Sequence, residues 1–323
     1  MQAVLNVESK KCKTIEFRRV NSAKPFSSNC IECPGFSSAR PLRALLIFLW
    51  LCPAIAHASQ LPESRPAPGG IVVVYVAPYY NDRPKATFGN QPVLVVYESS
   101  WYAVVGLPLG LIPGDYVITV KPGPDETLTR SFRVSPAQYP IEQFAPTGRQ
   151  SAQWTDDELD IFARQAKELR AALRVWQERD VVTTALQPPV QGSIVRSFGV
   201  HSLTGEAMVD PFTAVEFTAV KGTPLVATGD GVIDLIQRNP DGRLTVLINH
   251  GQGLFSVLIH LTQINLKSGQ KVSKGERIGT ISVGGKNDNA HILWSVVLNE
   301  TEVDPMLLVH SNSRPESIAQ PHR

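Results

Sequence analysis

The chain has 323 residues, enough for two ordinary domains with a sizeable buried core. Apolar residues make up 43% and charged ones 19%, which excludes a disordered chain, while 25 Pro and 23 Gly favour strands and turns. The formal charge is +2, and with no basic run after the first 58 residues an electrostatic nucleic-acid binder has no support.

Residues 1–58 read as a presequence. Arg40 and Arg43 precede the apolar run Ala44–Leu51, which continues through Cys52-Pro53-Ala54-Ile55-Ala56. Ala56-His57-Ala58 then places small residues at the two positions a signal peptidase reads, predicting cleavage near 58/59 with Ser59 as the new N-terminus. The run is shorter than the about 20 residues a spanning helix needs, so a periplasmic protein without a stable membrane anchor is expected. The 39 residues before Arg40 are long for an n-region and leave the true start codon open. Cleavage would remove eight of the 31 Lys and Arg and three of the 29 Asp and Glu, leaving 23 against 26 and a charge of −3. All four cysteines (Cys12, Cys30, Cys33, Cys52) lie before the cut, so no disulfide framework is expected. Cys30-Ile31-Glu32-Cys33 lacks the second half of a zinc knuckle, and the bulky Leu51 before Cys52 argues against lipoprotein processing.

Residues 59–69 are Pro-rich (Pro62, Pro66, Pro68) and read as a linker. Over 70–135 come short β-type runs at Ile71–Val76, Val93–Tyr97, Trp101–Leu107, Tyr116–Lys121 and Thr129–Val134, bounded by turn residues. They predict a small immunoglobulin-like β-sandwich, a spacer or binding module without a catalytic cluster. Alternation in Tyr116-Val117-Ile118-Thr119-Val120 and in Ser131-Phe132-Arg133-Val134 predicts half-buried strands of one hairpin.

Residues 151–180 change character. Thr155 and Glu158 make a capping box, and Asp156 and Asp157 suit a helix N-terminus. Leu159, Phe162, Ala166, Leu169, Leu173 and Trp176 recur at spacings of three and four, one apolar stripe on a long linking helix of about six turns. Such a stripe packs on a neighbouring domain or receives a regulatory partner. Residues 190–310 return to β character, with strand candidates at Leu225–Ala227, Gly231–Ile236, Leu244–Asn249, Phe255–His260, Ile278–Val283 and His291–Leu298. Residues 311–323 read as a polar tail.

Within that last segment, short motifs follow in a fixed order. Ser197-Phe198-Gly199 precedes Ala219-Val220-Lys221-Gly222-Thr223-Pro224-Leu225 and Gly229-Asp230-Gly231-Val232. Ile248-Asn249-His250-Gly251-Gln252-Gly253, Ile259-His260-Leu261 and Val272-Ser273-Lys274-Gly275-Glu276-Arg277-Ile278-Gly279 come next, then Ala290-His291-Ile292-Leu293-Trp294 and Val303-Asp304-Pro305. Each piece alone is weak, but the succession resembles the lysostaphin-type (LytM) peptidoglycan zinc endopeptidases over nearly the whole catalytic domain. The resemblance implies a mainly β fold, with an antiparallel sheet carrying a shallow groove. It also implies a zinc ion held by an HxxxD pair and by the second histidine of an HxH strand, polarising the scissile carbonyl and activating water. Two further histidines, one in an HL turn and the first of HxH, would act as base and transition-state stabiliser.

This chain departs from that pattern where the metal should sit. Phe212 occupies the first ligand position, Glu216 the aspartate position, and Leu293 the second histidine of HxH. A phenyl ring and an isobutyl group have no lone pair to donate, so no metal is expected despite the family's zinc. His260 and His291 match the two histidines that do not ligate, and they are the vestigial catalytic candidates. Three readings of that pair stay open: hydrogen-bonded residues on a strand face, a retained ligand contact, or a rearranged metal site with Glu216. His250 reads as a turn residue, Asp230 and Asp304 as structural turn residues, and His201 and Glu206 as parts of a variable loop.

The expected function is therefore a non-catalytic, cell-wall-associated LytM-domain protein that binds or regulates peptidoglycan hydrolases. Its partner would be peptidoglycan or a wall hydrolase such as an amidase, since degenerate members of the family are implied to activate amidases by contact. An active metalloendopeptidase with an altered site and a plain peptidoglycan-binding module are the alternatives.

Overall fold

The computed structural model describes residues 61–78, 82–143, 154–204, 207–281 and 289–310, all within the compact unit Ala56–Arg323. The predicted presequence with its cleavage site and the polar tail lie outside the described residues.

The first seven strands are β1 (Ile71–Ala77), β2 (Lys85–Phe88), β3 (Gln91–Pro92), β4 (Leu94–Glu98), β5 (Ser100–Gly106), β6 (Gly114–Lys121) and β7 (Leu128–Val134). They form two antiparallel sheets, ordered β1-β5-β4 and β3-β2-β6-β7. Period-2 alternation sends Val72, Val74 and Val76 of β1 and Ile118 and Val120 of β6 into a common core with Ala103 and Val105 of β5. β6 and β7 pair from Gly114↔Val134 to Val120↔Leu128, the hairpin that the alternation predicts. β2 escaped the sequence reading because only Ala86 of Lys85-Ala86-Thr87-Phe88 is buried, too little for an apolar run.

The Pro-rich stretch is not a free linker. Glu63 N donates to the Leu307 carbonyl (2.8 Å), Arg65 N to Ile71 (2.7 Å), and Ser135 N to Pro66 (2.8 Å). The Arg65 guanidinium also lies 3.0 Å from Asp304. Proline lacks an N–H but keeps its carbonyl, so an extended Pro-rich strip still accepts and its neighbours still donate.

The remainder runs β8 (Ile141–Gln143), α1 (Asp156–Ala172), β9 (Ser193–Arg196), β10 (His201–Thr204), β11 (Ala207–Val209), β12 (Val215–Val220), β13 (Pro224–Val226) and β14 (Gly231–Arg238). It continues with β15 (Leu244–Gly251), β16 (Leu254–Leu261), β17 (Gln263–Ile264), β18 (Lys271–Val272), β19 (Arg277–Thr280), β20 (Asn289–Leu298) and β21 (Thr301–Val303). The main antiparallel sheet has the order β18-β14-β15-β16-β20-β12-β9, with β21 paired to β20. One of its faces buries Trp294, Phe217, Ile248, Leu254 and Leu258. Ile71, Leu94 and Val104 of the first two-sheet layer join that same core.

Polar contacts close the seam as well. Asn299 Oδ1 accepts from Gly106 N (2.7 Å) while its Nδ2 donates to the Gly106 carbonyl (3.1 Å), and Gln252 Oε1 accepts from Val95 N (3.3 Å). Both residues hold left-handed backbone, φ 43° and 48°. Turns of the main sheet thereby reach into the sandwich.

α1 has the predicted capping box: Thr155 Oγ1 accepts from Glu158 N (3.3 Å) and Glu158 Oε2 accepts from Thr155 N (2.8 Å). It spans 17 residues and stops before the predicted stripe ends. After Ala172 the bonds tighten to Arg174 N→Ala171 O and Val175 N→Ala172 O, a 3-10 turn that releases the chain. Trp176 thus leaves the helix, and its indole Nε1 donates to Glu178 (3.0 Å). Leu169, Ala172 and Leu173 pack on Leu247, Phe255, Val257 and Val297 of the sheet, whereas Leu159 stays 42% exposed.

Candidate active-site groove

Register places the site on the sheet face opposite Trp294. Glu216 of β12 lies across from Arg196 of β9 on one side and Leu293 of β20 on the other, and Leu293 pairs in turn with Ile259 of β16. Directly opposed residues share a face, so Arg196, Glu216, Leu293 and Ile259 form one row across four strands. His291, two residues before Leu293 and opposite Thr218, stands beside that row. α1 packs on the same face, because Ile259 and Val257 belong to the cluster its C-terminal half covers.

The structure brings together most of the residues singled out in the sequence. His291 Nδ1 lies 2.7 Å from Glu216 Oε1, so that nitrogen carries the proton and donates. His260 sits next to Ile259 with φ 67°, a left-handed backbone that non-glycine residues rarely adopt. Burial pushes its imidazole below the ordinary histidine range, Arg243 adds to this, and Asp241 and Glu216 oppose it. His260 also feels His291, so the two histidines and Glu216 share one electrostatic neighbourhood. Phe212 lies in the loop before β12, hydrogen-bonded through its backbone to Gly199 (2.7 Å) and Val200 (3.0 Å).

Arg196 was missed by sequence reasoning. Its guanidinium carbon lies 4.0 Å from the centre of the Phe212 ring, a cation–π contact, and Nη2 donates to Ser202 Oγ. Desolvation lowers its pKa, while Glu216 and then Glu142 pull it back up. A positive group therefore sits against the first ligand position and is coupled to the carboxylate of the second. Only the β9–β12 register could have revealed it, and no local motif encodes that.

Zinc is what the motif order implies, and these residues do not fit it. Two of the three ligand positions carry hydrocarbon side chains, and the carboxylate at the third is engaged by His291. Among the described residues, no group of three His, Cys, Asp or Glu side chains is arranged to hold a metal ion. His201 opens β10 and so lies on a strand, not in the variable loop expected, and Glu206 lies outside the described residues.

His250 corrects an expectation. It is not a turn residue but a fully buried member of β15. Its Nδ1 donates to the Asp230 carbonyl (2.8 Å) and its Nε2 accepts from Ser256 Oγ (2.9 Å). Ser256 Oγ also accepts from Thr228 Oγ1 (2.9 Å) and Trp294 Nε1 (3.2 Å). Gly231 permits the close approach, since a Cβ there would stand 2.8 Å from the Asn249 carbonyl. Burial lowers the His250 pKa to about 4. Asp230 and Asp304 are turn residues as expected, the first accepting from Lys274 N (2.8 Å) and the second from Met306 N (3.0 Å).

Comparison with known proteins agrees with this architecture. Residues 211–305 match peptidase family M23, and residues 64–136 match the peptidase family M23 N-terminal domain. The peptidoglycan DD-endopeptidase ShyA of Vibrio cholerae is 33% identical over 98 residues, 30% of this chain and 23% of that protein. The cell division protein DipM of Caulobacter vibrioides is 33% identical over 102 residues, 31% of this chain and 16% of that protein. This chain thus matches less than a quarter of the length of either. A crystal structure of a putative peptidase M23 from Pseudomonas aeruginosa superposes with a TM-score of 0.60 at 28% identity, covering 76% of this chain and 96% of that one.

Proposed function

We propose that this chain, which carries an M23 N-terminal domain followed by an M23 domain, is a non-catalytic cell-wall protein of the periplasm. In this reading it uses its groove to bind peptidoglycan or a peptidoglycan hydrolase such as an amidase. The observation that carries the reading is the occupancy of the ligand positions. Phe212 is covered by the Arg196 guanidinium, Leu293 fills the middle of the row, and Glu216 is held by His291. A phenyl ring, an isobutyl group and an engaged carboxylate leave nothing to activate a water.

Relatives named for peptidoglycan cleavage and for cell division support the wall as the place of action, and the presequence supports export to it. α1 offers the contact surface. Its C-terminal half rests on the groove face, and its N-terminal half keeps Leu159 exposed beside the Trp154–Phe162 ring pair, whose centroids are 5.0 Å apart. A partner that engages this helix acts on the groove directly.

The test is zinc content by elemental analysis after dialysis against trace zinc, together with digestion of purified sacculi by the same sample. The expected result is zinc near zero, no released muropeptides, co-sedimentation with sacculi, and stimulation of a wall amidase. One zinc per chain, with cleavage abolished by His260→Ala, would instead establish an altered metalloendopeptidase. Co-sedimentation without any effect on hydrolases would reduce the reading to a peptidoglycan-binding module.

A further inference from the structure

The ligand positions of the zinc that the motif order implies lie on separate segments: Phe212 on the loop before β12, Glu216 on β12 and Leu293 on β20. A metal in such a site does more than activate water. It ties its ligands together, and part of its binding free energy is folding free energy. Residues that do not fit zinc leave that tethering to be done by other means.

The loop that carries Phe212 closes partly on itself. Gly199 N donates to the Phe212 carbonyl (2.7 Å) and Phe212 N to the Val200 carbonyl (3.0 Å), all within the excursion between β9 and β12. Tyr139 backs that excursion, its ring set so close that a Cβ on Gly199 would stand 2.1 Å from it. Arg196 joins it to the sheet from the groove side. Its guanidinium carbon lies 4.0 Å from the centre of the Phe212 ring, and its Nη2 donates to Oγ of the buried Ser202. It stands directly opposite Glu216, near enough for the two charges to act on each other. Glu216 carries the connection on to β20 by accepting from His291 Nδ1 (2.7 Å).

Phe212, Arg196, Glu216 and His291 thus link the loop, β12 and β20, the same segments a metal would join. The side-chain types agree with this. A phenyl ring has no lone pair for zinc, yet its face attracts a cation. A planar guanidinium stacks on that face while its N–H groups bond elsewhere. We infer that the Arg196 guanidinium takes the zinc's place as the cation that fastens the Phe212 loop to the sheet, so that the groove keeps its shape without a metal. Arg196 is a positioning residue in this role, and the inference is independent of which partner the groove takes.

Amide hydrogen exchange of the purified protein, read residue by residue by NMR, tests it. The Gly199 and Phe212 amides report on the loop through the two bonds they donate, and the amides of β15 report on the sheet. Arg196→Met keeps the stem and loses the charge. It is expected to speed exchange of the two loop amides about five- to thirtyfold, as suits the loss of a cation–π contact with a charged hydrogen bond, and to leave β15 unchanged. Arg196→Lys keeps a cation and should recover part of the protection. In a chain with Phe212→His, Leu293→His and Arg196→Ala, residue 212 should exchange fast without metal, and bound zinc, counted by calorimetry, should slow it towards the wild-type rate. Loop amides unmoved by Arg196→Met would overturn the inference, and so would bound zinc that leaves residue 212 exchanging fast. Equal acceleration throughout β15 would also overturn it, by making Arg196 a general support of the fold.

Discussion

The two faces of the C-terminal sheet each carry histidines in polar company, and they treat them in opposite ways. On the core face His250 is fully buried, and each polar atom around it has a partner: the Asp230 carbonyl, Ser256, Thr228 and Trp294. On the groove face His291 is half exposed beside Glu216, with hydrocarbon at Phe212 and Leu293. A satisfied polar network in low dielectric strengthens itself and penalises any missing member. A pair whose His291 side is open to water is screened and contributes less to stability. Phe212 and Leu293 thus stand on the face where substitution is expected to cost less, while the other face holds a network that tolerates little loss.

Adjacent residues on β20 offer the sharpest way to break that contrast. Trp294 is fully buried, so Trp294→Ala is expected to cost about 3–5 kcal/mol, mostly through the cavity it leaves and in small part through the lost bond to Ser256. Leu293→Ala, one residue away on the half-buried face, is expected to cost less than about 1.5 kcal/mol. Equilibrium urea unfolding measures both, and comparable losses would mean that the groove face is as tightly built as the core.

Acid should act through the core face next. The His250 pKa is pushed down to about 4 by burial, against about 6.5 in an unfolded chain. Below pH 6.5 the unfolded chain takes up the proton first, so stability is intact above that value and is lost as pH falls towards 4. The loss amounts to about 3 kcal/mol, and His260, also lowered by burial, adds in the same direction. Urea midpoints at pH 7 and 4.5 should converge in His250→Gln relative to wild type. An unchanged acid loss in that variant would show that His250 is not the group responsible.

Much of this was legible before any coordinates. The motif order from Ser197 to Asp304 located the sheet, and Phe212, Glu216, His260, His291 and Leu293 were placed by pattern alone. Glu216, His260, His291 and Leu293 do meet on one face, because motif spacing along strands survives as register across them. Arg196 stayed hidden because its role depends on pairing with a strand twenty residues on, which local sequence does not encode. The helix was read too long because apolar periodicity continues past Ala172 even though the hydrogen bonding does not. His250 was misjudged because Asn-His-Gly reads as a turn, whereas burial of the flanking β15 decided its fate.

Zinc tests the groove side of the comparison. If the metal is lost only through its ligands, Phe212→His with Leu293→His should restore it. The guanidinium over Phe212 predicts otherwise, since a fixed positive charge at that position repels a dication. The double variant is expected to bind zinc about 100-fold more weakly than the triple variant that adds Arg196→Ala, as read by calorimetry. Equal affinities would mean that Arg196 has no part in excluding the metal.

The smallest expected effect is the most discriminating for the idea that one face is permissive. Glu216→Gln keeps the shape and a hydrogen-bond acceptor for His291 Nδ1 but removes the charge. The His291 side chain is 49% exposed and that of Glu216 13%, and because the exposed partner lets water screen the pair, unfolding stability at pH 7 should change by about 1 kcal/mol. Binding to sacculi or to an amidase should change more than stability if the groove serves recognition, because a partner would cover the exposed His291 and remove the water that screens the Glu216 charge. A stability loss as large as that of Trp294→Ala would place Glu216 in the framework of the fold, and the groove would then be a structural seam instead of a surface kept for binding.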